Sequence, residues 1–144
     1  MKRNVGSTDA LVTSTPGLVL AVMVADCVPL VLVDPVAGVI AAVHAGWRGT
    51  VAKVSEAAIH AMSELGARPE RVVAGIGPAV SPARYEVGAD VAEAAASCFA
   101  TSIESLVNGP EPVLAQSGPK RWRFNLWRAN ERLLREAGVP ATSI

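Results

Sequence analysis

The chain is short of the side chains that most often carry chemistry: its 144 residues include two histidines and two cysteines. Two thiols cannot build a disulfide framework, so Cys27 and Cys98 read as free. The amino-terminal stretch MKRNVGSTDA has basic residues with no apolar segment behind them, so an export signal is not expected and a cytoplasmic location is. Charge of either sign is not in excess, since 13 Lys and Arg balance 13 Asp and Glu. The basic residues that cluster, Lys120 to Arg128, are interrupted by Trp122, Phe124 and Trp127. No footprint for nucleic acid results. Nor is a membrane span expected: the longest apolar run, Gly17 to Val33, contains Asp26 and Pro29, and no stretch reaches the roughly 20 apolar residues that a spanning helix needs. Internal repeats and low-complexity tracts are also missing.

What remains is 51% hydrophobic, enough for a real core, and residues 1–144 read as one domain. Its most informative stretch is 26–49, DCVPLVLVDPVAGVIAAVHAGWRG. Two apolar runs, Val28 to Val33 and Val39 to Val43, flank the turn Asp34-Pro35-Val36-Ala37-Gly38. Paired as an antiparallel hairpin, with strands about 4.8 Å apart, they bring Cys27 and His44 to one rim. Ala45-Gly46-Trp47-Arg48-Gly49 follows, two glycines bracketing an aromatic and a cation.

Elsewhere Ala10 to Thr13 suggests a short strand, and Leu18 to Val24, apolar and rich in β-branched residues, a longer one. Thr50 to Leu65 reads as a helix, with Val51, Val54, Ala58, Met62 and Leu65 on one stripe and Gly66 ending it. Arg71 to Gly75 suggests a strand leading into Gly75-Ile76-Gly77-Pro78, where backbone can approach a neighbour closely. Ser81 to Val87 reads as irregular or one helical turn, and Ala89 to Phe99 as a helix. Ala100 to Pro119, dense in glycine and proline, reads as mostly loop. Trp122 to Phe124 suggests a strand end, then a helix runs from an Asn125 cap to Ala137, with Gly138 after it. Val139 to Ile144 looks like the opening of another strand. Strands and helices alternate irregularly, which suggests an α/β sandwich with a mixed sheet.

Taken alone, Cys27 reads equally as a buried structural thiol. His44 shifts the balance, because the glycines after it open space beside the ring. The pair suits either a metal site, thiolate and imidazole being borderline-soft ligands, or a thiolate nucleophile with an imidazole base. Spacing does not separate the two. Arg48, just ahead of a helix start near Gly49 or Thr50, suggests an anion site for phosphate or carboxylate, against the plainer reading of a solvated arginine. Trp47 reads as a core residue, His60 as exposed or structural, and Cys98 as core.

ADCVPLVLVDP followed by GVIAAVHAGWRGT resembles the signature of the laccase-domain family, also called YfiH-like or multicopper polyphenol oxidase family. STDALVT, GIGPAVSPARYEVG and FNLWRANERLLREAGV agree with it, so the likeness covers nearly the whole chain. It implies a fold similar to that of toxin deamidases. It also implies a cytoplasmic enzyme that cleaves adenosine, inosine, guanosine or methylthioadenosine with phosphate and deaminates adenosine. The family's zinc is held by a histidine, a cysteine and a second histidine. Cys27 and His44 match the last two, while the first has no counterpart, since His60 lies downstream. The resemblance therefore suggests a chain incomplete at both ends, or a short form with reduced metal binding. A metal-free Cys-His hydrolase or deamidase, or an inactive chain, are the alternatives. Multicopper oxidase chemistry is not expected: its copper centres need about ten histidines.

Overall fold

The computed structural model describes residues 6–144. The antiparallel hairpin predicted around residue 34 is its centre. Strand β2, Val28–Asp34, pairs with β3, Val39–Ala45, in a register that sets Val28 opposite Ala45 and Pro29 opposite His44. The turn between them is held by Asp34, whose Oδ1 accepts the backbone N–H groups of Val36 at 2.9 Å and Ala37 at 3.0 Å. Its other oxygen accepts from Arg68 N at 2.9 Å and from the Arg71 guanidinium at 2.8 Å. The carboxylate is fully buried and fully partnered.

Strand β1, Ala10–Thr13, joins the outer edge of β3, and β4, Val73–Ile76, joins β2, giving a four-stranded sheet in the order β1-β3-β2-β4. A second sheet holds β5, Glu86–Val87, β6, Leu114–Gly118, and β7, Arg121–Phe124, in the order β5-β7-β6. The α/β architecture agrees with the expectation from sequence. The mixed sheet expected within it does not form, since every strand pairing among the described residues is antiparallel.

Period-two burial explains how the first sheet is covered. Val28, Leu30, Leu32, Val39, Ala41, Val43 and Ala45 turn inward and are almost wholly buried. Helix α2, Val54–Glu64, packs on β3 and β1 through Ser55, Ala58, Ile59 and Met62. The intervening residues of the strands face the other way. There Val31 and Val73 are about half exposed, and His44 belongs to that outward set. Helix α5, Leu126–Glu136, starts as predicted at Asn125, whose side chain accepts from Arg128 N, and packs on α2. Helix α3, Ala89–Cys98, lies against β7. Gly66 and Gly138, with φ of 94° and 96°, end their helices in the left-handed conformation that glycine tolerates.

Four other expectations need correction. The helix predicted from Thr50 to Leu65 is two: α1, Trp47–Val51, and α2, separated at Lys53, whose φ is 60°. The break lets α1 pack on α3 and α5 while α2 lies on the sheet. It also leaves Leu65 exposed and puts Ile59 in the buried stripe. Leu18 to Val24 forms no strand; Val19 and Met23 are 86% and 95% exposed. An apolar β-branched run favours a strand only where a ladder partner exists. Ala100 to Pro119 is not mostly loop, since it contains α4, Ile103–Asn108, capped by Ser102, as well as β6. Finally, Val139 to Ile144 holds a short 3₁₀ turn, Ala141–Ser143, rather than the start of a strand.

Candidate active site

The hairpin register carries Cys27 past the end of β2 and Gly46 past the end of β3, so the two face one another. A Cβ built on Gly46 would stand 2.9 Å from Cys27 Sγ and 3.7 Å from His44 Nε2. Both donor atoms thus border the same small space, which the missing side chain of Gly46 leaves open. Gly46 itself has φ −71° and ψ 175°, ordinary extended backbone. Its role here is spatial, not conformational.

The other ring nitrogen of His44 is engaged. Nδ1 lies 2.8 Å from Asp9 Oδ1, and the His44 backbone N–H donates to Asp9 O at 2.7 Å. A carboxylate only accepts, so in the neutral ring Nδ1 carries the hydrogen and the lone pair is left on Nε2, which borders the space beside Gly46 that Cys27 Sγ also borders. The His44 side chain is 32% exposed, so the site opens to solvent.

The loop after β4 closes one side of the site. Gly77 N–H donates to Pro29 O at 2.9 Å and Val80 N–H to Asp26 O at 3.0 Å, bracketing Cys27. A Cβ on Gly77 would come within 2.7 Å of Pro29 Cγ, so glycine permits this approach. Trp127 Nε1 donates to Gly77 O at 3.0 Å and pins the same loop to α5.

Arg48 lies within the first turn of α1, not ahead of it, and its guanidinium stacks over Trp47 at 4.4 Å from the ring centroid. With only five residues in α1, the helix-terminus contribution to anion binding expected beside Arg48 has little basis. Tyr85, not singled out in the sequence, lies near enough to feel both Cys27 and Arg48. Burial pushes its hydroxyl pKa up, Cys27 adds to the rise and Arg48 opposes it. Its ring stacks against Phe124 at 6.3 Å between centroids.

Of the residues picked from sequence, Cys27 and His44 are therefore brought together, with Arg48 on the adjoining turn. His60 is exposed on α2 and faces Glu64 at 3.8 Å. Cys98 is half-buried, its Sγ directed at Thr50 O at 3.8 Å and its thiol pKa raised by burial. Asp9 was missed as a site residue, its only signal being its place in STDALVT, whereas Gly46 is one of the glycines expected to open space beside the His44 ring. Grooves along α5, lined by Glu111, Arg132 and Arg135, share no residue with this site.

The donor types suit zinc, a thiolate and an imidazole nitrogen bordering one gap. Among the described residues, no group of three or more His, Cys, Asp and Glu side chains is arranged to hold a metal ion. The pair thus fits part of a zinc site, and a further donor is needed to complete it.

The model of the family described as multi-copper polyphenol oxidoreductase laccase matches residues 1–144. The chain belongs to that family. Among the family's relatives it is 48% identical over 131 residues to a purine nucleoside phosphorylase of Deinococcus radiodurans, covering 91% of this chain and 47% of that protein. It is 40% identical over 136 residues to adenosine deaminase RL5 of an unknown prokaryotic organism, covering 94% and 49%. The crystal structure of the Bacillus licheniformis hypothetical protein YfiH superposes with a TM-score of 0.85 at 30% identity, over 95% of this chain and 49% of that one. The chain spans about half the length of these relatives.

Proposed function

We propose that the chain supplies a zinc-binding half-site to an enzyme that cleaves purine nucleosides with phosphate and deaminates adenosine. The observation that carries this reading is the convergence of Cys27 Sγ and His44 Nε2 on the space beside Gly46. The names of the relatives, purine nucleoside phosphorylase and adenosine deaminase, support the substrate class. Cys27 and His44 would hold the zinc, and a further donor would complete its shell. Zinc bound there would supply a Lewis acid able to polarise an oxygen or activate water.

In phosphorolysis a phosphate oxygen bonds to C1′ of the ribose as the bond from C1′ to the purine nitrogen breaks. The base leaves with the bonding electrons and is protonated, and ribose 1-phosphate remains. Arg48, held over Trp47, offers a fixed cation for the phosphate. The Gly75 to Val80 loop, anchored to Pro29, Asp26 and Trp127, would form one side of the substrate site. Tyr85, whose hydroxyl is electrostatically coupled to Cys27 and Arg48, would offer a hydroxyl to the sugar or base. A cytoplasmic setting is part of the same proposal, and no helix among the described residues is long and apolar enough to cross a membrane.

The test is zinc content by elemental analysis together with phosphate-dependent release of hypoxanthine from inosine. Cys27→Ala and His44→Ala each remove both; zinc unchanged in the two variants overturns the proposal. One observation favours a second reading. Asp9, His44 and Cys27 stand in the order carboxylate, imidazole, thiol, as a metal-free hydrolase or deamidase would require. Stoichiometric alkylation of Cys27, with activity that survives chelator, supports that alternative. Activity lost in chelator and restored by zinc removes it.

A further inference from the structure

The structure assigns Asp9 as the positioning residue that fixes His44 as the Nδ1–H tautomer and so leaves the Nε2 lone pair free beside the space that Cys27 Sγ also borders. The inference builds on the site proposed above but not on its metal, because the orientation serves a zinc ligand and a general base alike.

Two contacts reach His44 from Asp9, and they do different work. The backbone contact, His44 N–H to Asp9 O at 2.7 Å, continues the β1–β3 ladder in which Ala10 stands opposite Val43. It places Asp9 directly across from His44 and does not depend on the Asp9 side chain. The side-chain contact, Asp9 Oδ1 to His44 Nδ1 at 2.8 Å, then sets the ring. Residues directly opposite on antiparallel strands project to the same face, so the carboxylate meets the imidazole without bending either strand. An ionised carboxylate has no hydrogen to give. The neutral ring must donate from Nδ1, and its lone pair then sits on Nε2, facing the space that Cys27 Sγ also borders.

Without that partner a neutral histidine side chain in water favours the opposite tautomer, hydrogen on Nε2. That hydrogen would sit on Nε2, the nitrogen that borders the space shared with Cys27 Sγ, and would take up its lone pair. Among the described residues no other contact of His44 selects the tautomer: Gly46 leaves open space next to Nε2, and the backbone bond to Asp9 O involves only the His44 amide. Carboxylate partners of this kind commonly orient metal-binding histidines, and their loss weakens metal affinity about 10- to 100-fold.

Imidazole nitrogen-15 shifts distinguish the two neutral tautomers directly, and the chain has a built-in reference. His60, the other of its two histidines, is exposed on α2 and distant in sequence. The measurement is made on the whole chain with both rings neutral, for the parent sequence, Asp9→Ala and Asp9→Leu. The expected result is a His44 that is Nδ1–H in the parent and predominantly Nε2–H in both variants, with His60 unchanged. Because the backbone bond persists, the His44 amide keeps its protection from hydrogen exchange. Two variants of different size separate loss of the carboxylate from loss of packing. A parent His44 that is already Nε2–H, or one that stays Nδ1–H in both variants, overturns the assignment. Either result leaves zinc binding by Cys27 and His44 to be decided by its own test, so the two proposals fail separately.

Discussion

Asn130 Nδ2 donates to Thr50 Oγ1 at 3.0 Å, and both residues are completely buried. Eighty positions apart in sequence, they join α5 to α1, the short helix that carries Trp47 and Arg48. The Asn130 amide also donates to Leu126 O at 2.9 Å, so it is held on its own helix while it reaches across. Trp127, one turn earlier on α5, pins the Gly77 loop. One helix therefore fixes both segments flanking the Cys27 and His44 rim. Thr50→Val keeps the volume of the side chain but removes the acceptor for Asn130. The expected cost is about 1–3 kcal/mol of unfolding free energy, for a buried donor that loses a partner. Urea denaturation measures it; a midpoint equal to the parent would mean that the bond contributes nothing.

Asp34 makes stability depend on pH. Burial alone would raise its carboxyl, but hydrogen bonds from Ala37 N, Arg68 N, Arg71 and Val36 N outweigh it and hold the group well below its ordinary value of 3.8. A carboxylate depressed in the folded state stabilises fully above the unfolded value and loses that contribution as pH falls through the region below it. The melting temperature is therefore expected to hold from pH 7 to about 5 and to drop steeply below about 4. Asp34→Asn lowers it at pH 7, since the amide can no longer accept from Arg71 at full charge, and flattens the acid limb. An acid limb as steep as the parent's would assign the effect to other carboxylates.

The hairpin was legible in the sequence because its signals are local: two apolar runs, a turn opened by Asp-Pro, and a fixed register that follows from the turn. That register alone put Cys27 and His44 at one rim. Asn125 and Gly138 marked α5 for the same reason, each acting within a few residues of itself. Asp9 was illegible, being 35 residues from His44 and linked to it only through the β1–β3 pairing. β6 was masked by its glycine, serine and proline neighbours, and it exists because β7 supplies its ladder. Leu18 to Val24 erred the other way. Its composition favours a strand, yet no described strand pairs with it.

That exposed run has a consequence for behaviour in solution. Leu18, Val19, Met23 and Val24 place an apolar surface next to the sequence leading to Cys27, and exposed apolar surface of this kind is prone to associate. Val19→Lys combined with Met23→Lys is expected to reduce light scattering at high protein concentration. The melting temperature should stay within error of the parent, because neither side chain is buried. A lower melting temperature would show that these residues pack against something in the folded chain.

Gly46 offers the sharpest local test of the rim. Its backbone angles suit alanine, so Gly46→Ala carries no conformational strain, yet the added methyl would lie 2.9 Å from Cys27 Sγ. One of the two must shift, and the thiol, at the end of a rotatable side chain, moves most easily. The expected outcome is a melting temperature close to the parent's with an altered rate of Cys27 alkylation by iodoacetamide. Cys98, half-buried beside Thr50, supplies an unchanged reference within the same chain. Zinc content should fall too, because the methyl would occupy the gap that Sγ and Nε2 share. Unaltered alkylation and zinc content in Gly46→Ala would mean that the gap is wider than the geometry allows, and the case for a shared ligand would fail with it.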